Sequence, residues 1–177
     1  MGIYITFDDG PHPDITPWVL DELDKYSAKA TFFMVGENAE RFSETRALVL
    51  KRKHSIGNHS HNHLKGWSNR SAKFYKNIER AGEFTSSKLF RPPYGQIRPS
   101  QIRHLRKTYK IIMWSVLSKD YLGNLDCKKA LARICRQTKP GSIVVFHDSA
   151  KAENQLRQLL PAYLAYCKQM GFEMKAL

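Results

Sequence analysis

Short apolar runs rich in β-branched and aromatic residues alternate along this chain with longer amphipathic segments, and few folds accommodate that alternation. The runs are Ile3–Phe7, Thr31–Val35, His54–Gly57, Leu89–Arg91, Ile111–Trp114, Ile143–Phe146 and, more weakly, Phe172–Lys175. Helices are predicted between them. The first has Thr16 as N-cap and Pro17 at the first helical position; the others cover about Ala39–Lys53, Ser71–Ser87, Pro99–Thr108, Asp126–Thr138 and Glu153–Met170, with Pro161 inside the last. Strands separated by helices pair in parallel, because a parallel partner needs a long crossover. Ile143–Phe146 is continuously apolar, as a strand covered on both faces should be. Six or seven such units can form an open doubly wound sheet or a barrel, and periodicity does not separate the two. In both, side chains that do chemistry gather at the carboxyl ends of the strands.

Composition narrows the class. A chain of 177 residues is expected to form one domain, spanning 1–177, with a real hydrophobic core. No apolar run approaches the roughly 20 residues of a membrane helix. The chain begins directly on a strand pattern without a cleavable signal segment, which is how a trimmed sequence would look. Lys and Arg exceed Asp and Glu by 29 to 16, a net charge of +13, which favours anionic surroundings. The basic residues are scattered, however. Their two densest clusters, Lys51–His54 and Arg103–Lys107, fit the polar faces or ends of helices. Without a readout motif, charge alone does not make a nucleic-acid-binding protein, and no nucleic acid is expected as partner. Cys127, Cys135 and Cys167 contain no CxxC pair and are odd in number, so they read as buried or half-buried thiols rather than a disulfide framework.

The polar residues just after each strand are unusual. Asp8 and Asp9 follow the first run, and Asn58-His59-Ser60-His61-Asn62-His63 the third. Arg91-Pro92-Pro93-Tyr94-Gly95 follows the fourth, Ser115, Ser118 and Asp120 the fifth, and His147 and Asp148 the sixth. No strand start carries a comparable set. Adjacent residues of a strand point to opposite faces, so Asp8 and Asp9 must diverge unless the strand has already broken. His59 and His63, four residues apart, fall on one side of a helical turn or tight loop. With Asp9 they make a set of two imidazoles and one carboxylate. Such a set leaves open positions on an ion, and it suits catalytic zinc as well as non-haem iron(II).

In order and spacing, Thr6-Phe7-Asp8-Asp9-Gly10-Pro11, His59-Ser60-x-x-His63, Arg91-Pro92-Pro93-Tyr94-Gly95 and Val145-Phe146-His147 resemble the polysaccharide deacetylases with a NodB homology domain, carbohydrate esterase family 4. The resemblance covers essentially the whole chain. It implies a distorted (β/α) barrel of about seven parallel strands. It also implies a divalent metal, zinc first, with cobalt or nickel as alternatives. The implied reaction is hydrolysis of N-acetyl groups on N-acetylglucosamine units of peptidoglycan, chitin or related glycans. Asp9, His59 and His63 would hold the ion and Asp8 would be the general base, oriented by Arg91. His147 would be the general acid, a task that suits an imidazole. The backbone N–H of Tyr94 would bind the oxyanion, and Pro93, Trp114 and Val145 would line the sugar and acetyl pocket. For a trimmed chain the family implies the cell envelope or secretion, otherwise the cytoplasm. A monomer is favoured.

One motif departs from the family. Where relatives carry Asp-x-x-Asp-Trp, this chain has Leu117-Ser118-Lys119-Asp120-Tyr121. Asp120 can still tune His147, but the acid expected to brace Arg91 is Leu117, with Ser115 or Ser118 as uncharged substitutes. A catalytically weak glycan-binding module is therefore the rival reading, and an amide or ester outside the glycans the rival substrate. Retention of both Asp8 and His147 favours an enzyme, because a binding module needs neither proton-transfer group.

Overall fold

The computed structural model describes residues 1–177 and realises the strand–helix alternation. The strands are β1 (Gly2–Asp8), β2 (Ala30–Met34), β3 (Ser55–Asn58), β4 (Leu89–Phe90), β5 (Lys110–Ile111), β6 (Val116–Leu117), β7 (Ile143–His147) and β8 (Glu173–Lys175). The helices are α1 (Ile15–Asp24), α2 (Gly36–Arg41), α3 (Ser43–Lys51), α4 (Ser71–Thr85), α5 (Pro99–Leu105), α6 (Cys127–Gln137) and α7 (Glu153–Gln169). Seven strands are ordered β5-β4-β3-β2-β1-β7-β6, and β8 pairs with the start of β1. Every pairing is parallel.

Of the run expected at Ile111–Trp114 only Ile111 lies in a strand, an unexpected strand β6 follows at Val116–Leu117, and the segment between them reveals the curvature. A flat sheet of seven strands would hold its outer strands about 29 Å apart, six spacings of about 4.8 Å. Yet the Ile112 N–H still donates to Phe90 O beside β4 (2.8 Å), while the Ser115 N–H already donates to Ile143 O on β7 (3.0 Å). The three peptide steps between them reach about 11 Å at most. The sheet must therefore curl until its two edges nearly meet. The result is the distorted barrel, and the open doubly wound alternative is excluded.

Side-chain alternation divides each central strand between two environments. Ile3, Ile5 and Phe7 of β1, with Val144 and Phe146 of β7, enter a core of 26 buried residues shared with the helices. Phe7 stacks on Phe32 at 5.0 Å and meets Phe146 at 6.0 Å. Burying one such ring contributes roughly 1.5–3 kcal/mol. Thr6, Asp8, Val145 and His147 belong to the alternate set, which faces the inside of the curl. The register sets Thr6 beside Val145 and Asp8 beside His147, and Leu117 on β6 beside Val145.

Two helix expectations are corrected. Thr16 lies inside α1, where its hydroxyl accepts from the His12 N–H and donates to Asp148. The start of α1 is met instead by the His12 ring, whose Nδ1 accepts from the N–H groups of Asp14 and Ile15. The helix expected over Ala39–Lys53 divides into α2 and α3 at Phe42, which sits at φ −112°, ψ 52°. Pro161 stays within a continuous α7, and no helix is long and apolar enough to cross a membrane.

Candidate active site

At the carboxyl ends of the strands lies a cleft of about 400 Å³ lined by Asp8, Asp9, His59, His63, Tyr94, Trp114, Leu117, Tyr121, Val145, His147 and Lys151. Eight of the eleven residues expected at the site from sequence reach its wall. Arg91 and Asp120 lie fully buried just behind it, and His59 at the mouth of β3 hydrogen-bonds to the Arg91 carbonyl. Trp114 lines the cleft half-exposed, and Tyr94 is 57% exposed at its rim. Pro93 is the correction. It is buried and absent from the wall, because the short 3-10 turn it opens (Pro93–Gly95) presents Tyr94 instead. A larger concavity of about 760 Å³ is lined by Lys29, Lys53, Lys168 and Lys175 beside β8, and it contains none of the strand-end His or Asp.

Asp8 and Asp9 do diverge. Asp8 is the last residue of β1 and shares the inner face with Thr6. Asp9 has left the strand at φ +80°, a region unusual for any residue but glycine. Ser60, His63, Tyr94 and Lys119 also have positive φ, so five of the eight such non-glycine residues lie in loops around the cleft. Backbone held in these conformations commonly marks functional loops, since the surrounding structure must over-determine them.

Asp9, His59 and His63 bring one ligand atom each to within 4.8 Å of one another, a group that could hold a metal ion. Asp9 Oδ1 is 3.1 Å from His63 Nε2 and 3.6 Å from His59 Nε2. The same oxygen is buried and accepts no hydrogen bond, which is costly unless a cation completes it. His59 Nδ1 lies 2.8 Å from the Arg91 carbonyl oxygen and must donate to it, so the lone pair stays on Nε2, the atom facing Asp9. Burial lowers the pKa of His59, as a neutral ligand requires. Burial also works against the charge on Asp9, but the imidazoles of His63, His59 and His147 outweigh it and hold this carboxyl below the usual range. The residues therefore fit a divalent cation.

Arg91 fills the interior behind Asp8. Its Nη1 donates to Asp8 Oδ1 and to Thr6 Oγ1, both at 2.7 Å, and its Nε donates to Ile112 O at 3.3 Å. The guanidinium also lies 4.1 Å over the Phe33 ring and 5.8 Å over that of Trp114. Neither serine replaces the missing acid. Ser115 bonds Ile143, Ser118 bonds Asp120, and Arg91 Nη2 is buried with no partner. Arg91 therefore keeps one buried donor without an acceptor. Thr6, whose hydroxyl donates onward to Val144 O at 2.9 Å, is the bracing residue that sequence reasoning missed.

Asp120 holds His147 twice. Its Oδ1 is 2.7 Å from His147 Nδ1, and its Oδ2 accepts from the His147 backbone N–H at 2.9 Å. Burial would lower the pKa of His147, but the bond and charge of Asp120, with Asp8 and Asp9 nearby, raise it to about 9. The Tyr121 ring packs edge-on against His147 at 5.0 Å. Asp148 is no mere turn cap. Burial pushes this carboxyl up to about 8, against the hydrogen bonds from Thr16 and Gly10. A Cβ at Gly10 would come within 2.2 Å of Asp148 Oδ2, so glycine is required where the chain passes between Asp9 and Asp148. His61 faces away toward Phe84, and Asn62 bonds Glu37 and Asn77; neither touches the ligand set.

Known proteins resemble this chain in sequence and in fold. The family model for polysaccharide deacetylases matches residues 2–110. A peptidoglycan-N-acetylglucosamine deacetylase of Bacillus cereus is 34% identical, over 96% of this chain and 83% of that protein. The chain spans 56% of a second Bacillus cereus deacetylase of the same description. A chitooligosaccharide deacetylase of Azorhizobium caulinodans is 32% identical, over 82% of this chain and 73% of that protein. The crystal structure of a peptidoglycan N-acetylglucosamine deacetylase, bound to a naphthalenyl N-oxidanyl-benzamide, superposes with a TM-score of 0.91 at 27% identity, covering 99% of this chain and 85% of that one. With a family match over more than half its length and these relatives along nearly all of it, the chain belongs to the polysaccharide deacetylase family.

Proposed function

We propose that the protein is a metal-dependent hydrolase that removes N-acetyl groups from N-acetylglucosamine units of peptidoglycan or chitin-type glycans. One observation carries the reading. A single cleft holds the Asp9–His59–His63 set, a carboxylate locked to a buried arginine, and an imidazole locked to a buried carboxylate. A divalent ion bound by that set would polarise the amide carbonyl and make a water acidic enough to attack near neutral pH.

The chain's own residues supply the proton transfers and the positioning. Asp8 accepts the proton of the attacking water, and Arg91 fixes the Asp8 oxygen that is not needed for the transfer. The Tyr94 N–H donates to the carbonyl oxygen as it gains charge, from the turn set by the unusual φ of Tyr94. His147 gives its proton to the amide nitrogen as the C–N bond breaks, so the sugar leaves as an amine and acetate remains. Asp120 on Nδ1 leaves Nε2 as the donating nitrogen. Val145, Trp114 and Leu117 offer the acetyl methyl an apolar wall. The family's names for relatives that act on peptidoglycan and on chitooligosaccharides support the glycan class.

Acetate release from N-acetylglucosamine oligomers and from peptidoglycan, with and without chelator and added zinc, tests the proposal. Release that chelator abolishes and zinc restores is expected, with Asp8→Asn reduced at least about 10²-fold, as for loss of a general base. No release from either glycan, or an Asp8→Asn variant equal to the native enzyme, would overturn it.

A further inference from the structure

The cleft is flanked by the same device on both sides of β1. In the sheet order, β3 and β4 lie to one side of β1, and β7 and β6 to the other. On the first side, the ring of His63 lies 4.6 Å from that of Tyr94, and the ammonium of Lys65 stands 4.7 Å over Tyr94. On the second, the ring of His147 lies 5.0 Å from that of Tyr121, and the ammonium of Lys151 stands 5.5 Å over Tyr121. Each wall thus runs outward from an imidazole of the site, the ligand His63 or the acid His147, through a tyrosine to a lysine. Both lysines are exposed. The lysines engaged in ion pairs are Lys25, Lys129 and Lys175, so Lys65 and Lys151 have no acid of their own. Within the cleft the only carboxylates are Asp8, taken by Arg91, and Asp9, in the ligand set.

In a chain of net charge +13 one exposed lysine means little. Two unpaired ammoniums held on cleft-lining rings, one to each side of the reacting centre, are a different matter. The ring holds the ammonium in place while leaving it available to a ligand lying along the groove. A neutral acetylated sugar offers hydroxyls and amides that need no cation. We propose that Lys65 and Lys151 bind carboxylates on the sugars flanking the one that is deacetylated, so that an anionic N-acetylated strand is preferred over a neutral strand of equal length. This rests on the deacetylase reading above.

The test compares three strands of matched length: a neutral N-acetylglucosamine oligomer, a peptide-free peptidoglycan strand with free carboxylates, and that strand with its carboxylates amidated. The native enzyme should favour the free carboxylates in kcat/KM, and both added salt and amidation should erode the preference. Lys65→Gln and Lys151→Gln should each lower the ratio of anionic to neutral kcat/KM roughly two- to five-fold, the worth of an exposed ion pair, chiefly through KM. The Arg variants should keep most of it. Equal rates on all three strands, a preference that survives amidation, or ratios unmoved in both Gln variants would overturn the inference and leave the deacetylase reading standing. Acetate from none of the strands would overturn both.

Discussion

At the scale of single residues, the site depends on buried partners that never touch a substrate. Thr6 is the clearest. Its hydroxyl is one of only three acceptors around a fully buried guanidinium that already has one orphaned nitrogen. Thr6→Val removes that acceptor and should cost roughly 1–3 kcal/mol, the usual penalty for a buried donor left unpaired. Denaturant melts would read it as a lower midpoint. Asp120 works through His147. A pKa raised from 6.5 to about 9 keeps His147 protonated through neutral pH. Its contribution to stability is complete below about 6.5 and is lost as pH rises through about 9, and the proton it would donate in the proposed reaction disappears over the same interval. Asp120→Asn removes the main cause of the rise, so the alkaline limb of the pH–rate profile should move to lower pH. An unmoved limb would mean that another group is the acid. Asp9, His59, His63 and His147 stood out in the sequence as candidates because acids and imidazoles gather at successive strand ends, where one alone would have read as a turn. Thr6 and Asp148 did not, because a threonine in a strand and an aspartate in a turn are ordinary until their partners, more than 80 residues away, are known.

At the scale of elements, the strands were more legible than the helices. Continuous apolar runs were a reliable sign because each central strand is covered on both faces. The helix expected over Ala39–Lys53 broke at Phe42, whose non-helical backbone no residue pattern announced. Helix α6 met its prediction at both ends, and the reason is chemical. Asp126 accepts from the Lys129 N–H at 3.1 Å as a true N-cap. Asp126→Ala should lower the midpoint in the same denaturant melts by removing the cap, with little change in activity because α6 lines no part of the cleft. Leu117, which the family pattern marked as standing in place of an acid, lies on β6 beside Val145 and lines the cleft as an apolar residue.

At the scale of the whole molecule, closure of the sheet is what assembles the chemistry. Strand ends separated by up to 139 positions, from Asp8 to His147, become neighbours on adjacent strands. If Asp9, His59 and His63 hold an ion in the folded state only, added zinc must stabilise the fold by mass action, about 2.7 kcal/mol at a hundredfold excess over Kd. A thermal shift with zinc in the native protein, reversed by chelator and absent in Asp9→Asn, is the expected result; equal shifts in both would place the ion elsewhere. The alternation of strands and helices, the parallel pairing and the gathering of acids and imidazoles at strand ends all follow from local pattern, because side-chain period and crossover length are local properties. Three things depend on the tertiary structure. The sheet curls into a barrel rather than lying open, because a four-residue bridge ties its two edges together. Asp8 and Asp9 take separate environments, because one ends a strand facing Arg91 and the other turns to positive φ beside His63. Arg91 is left one partner short, because its surroundings come from strands that meet only after the sheet has closed.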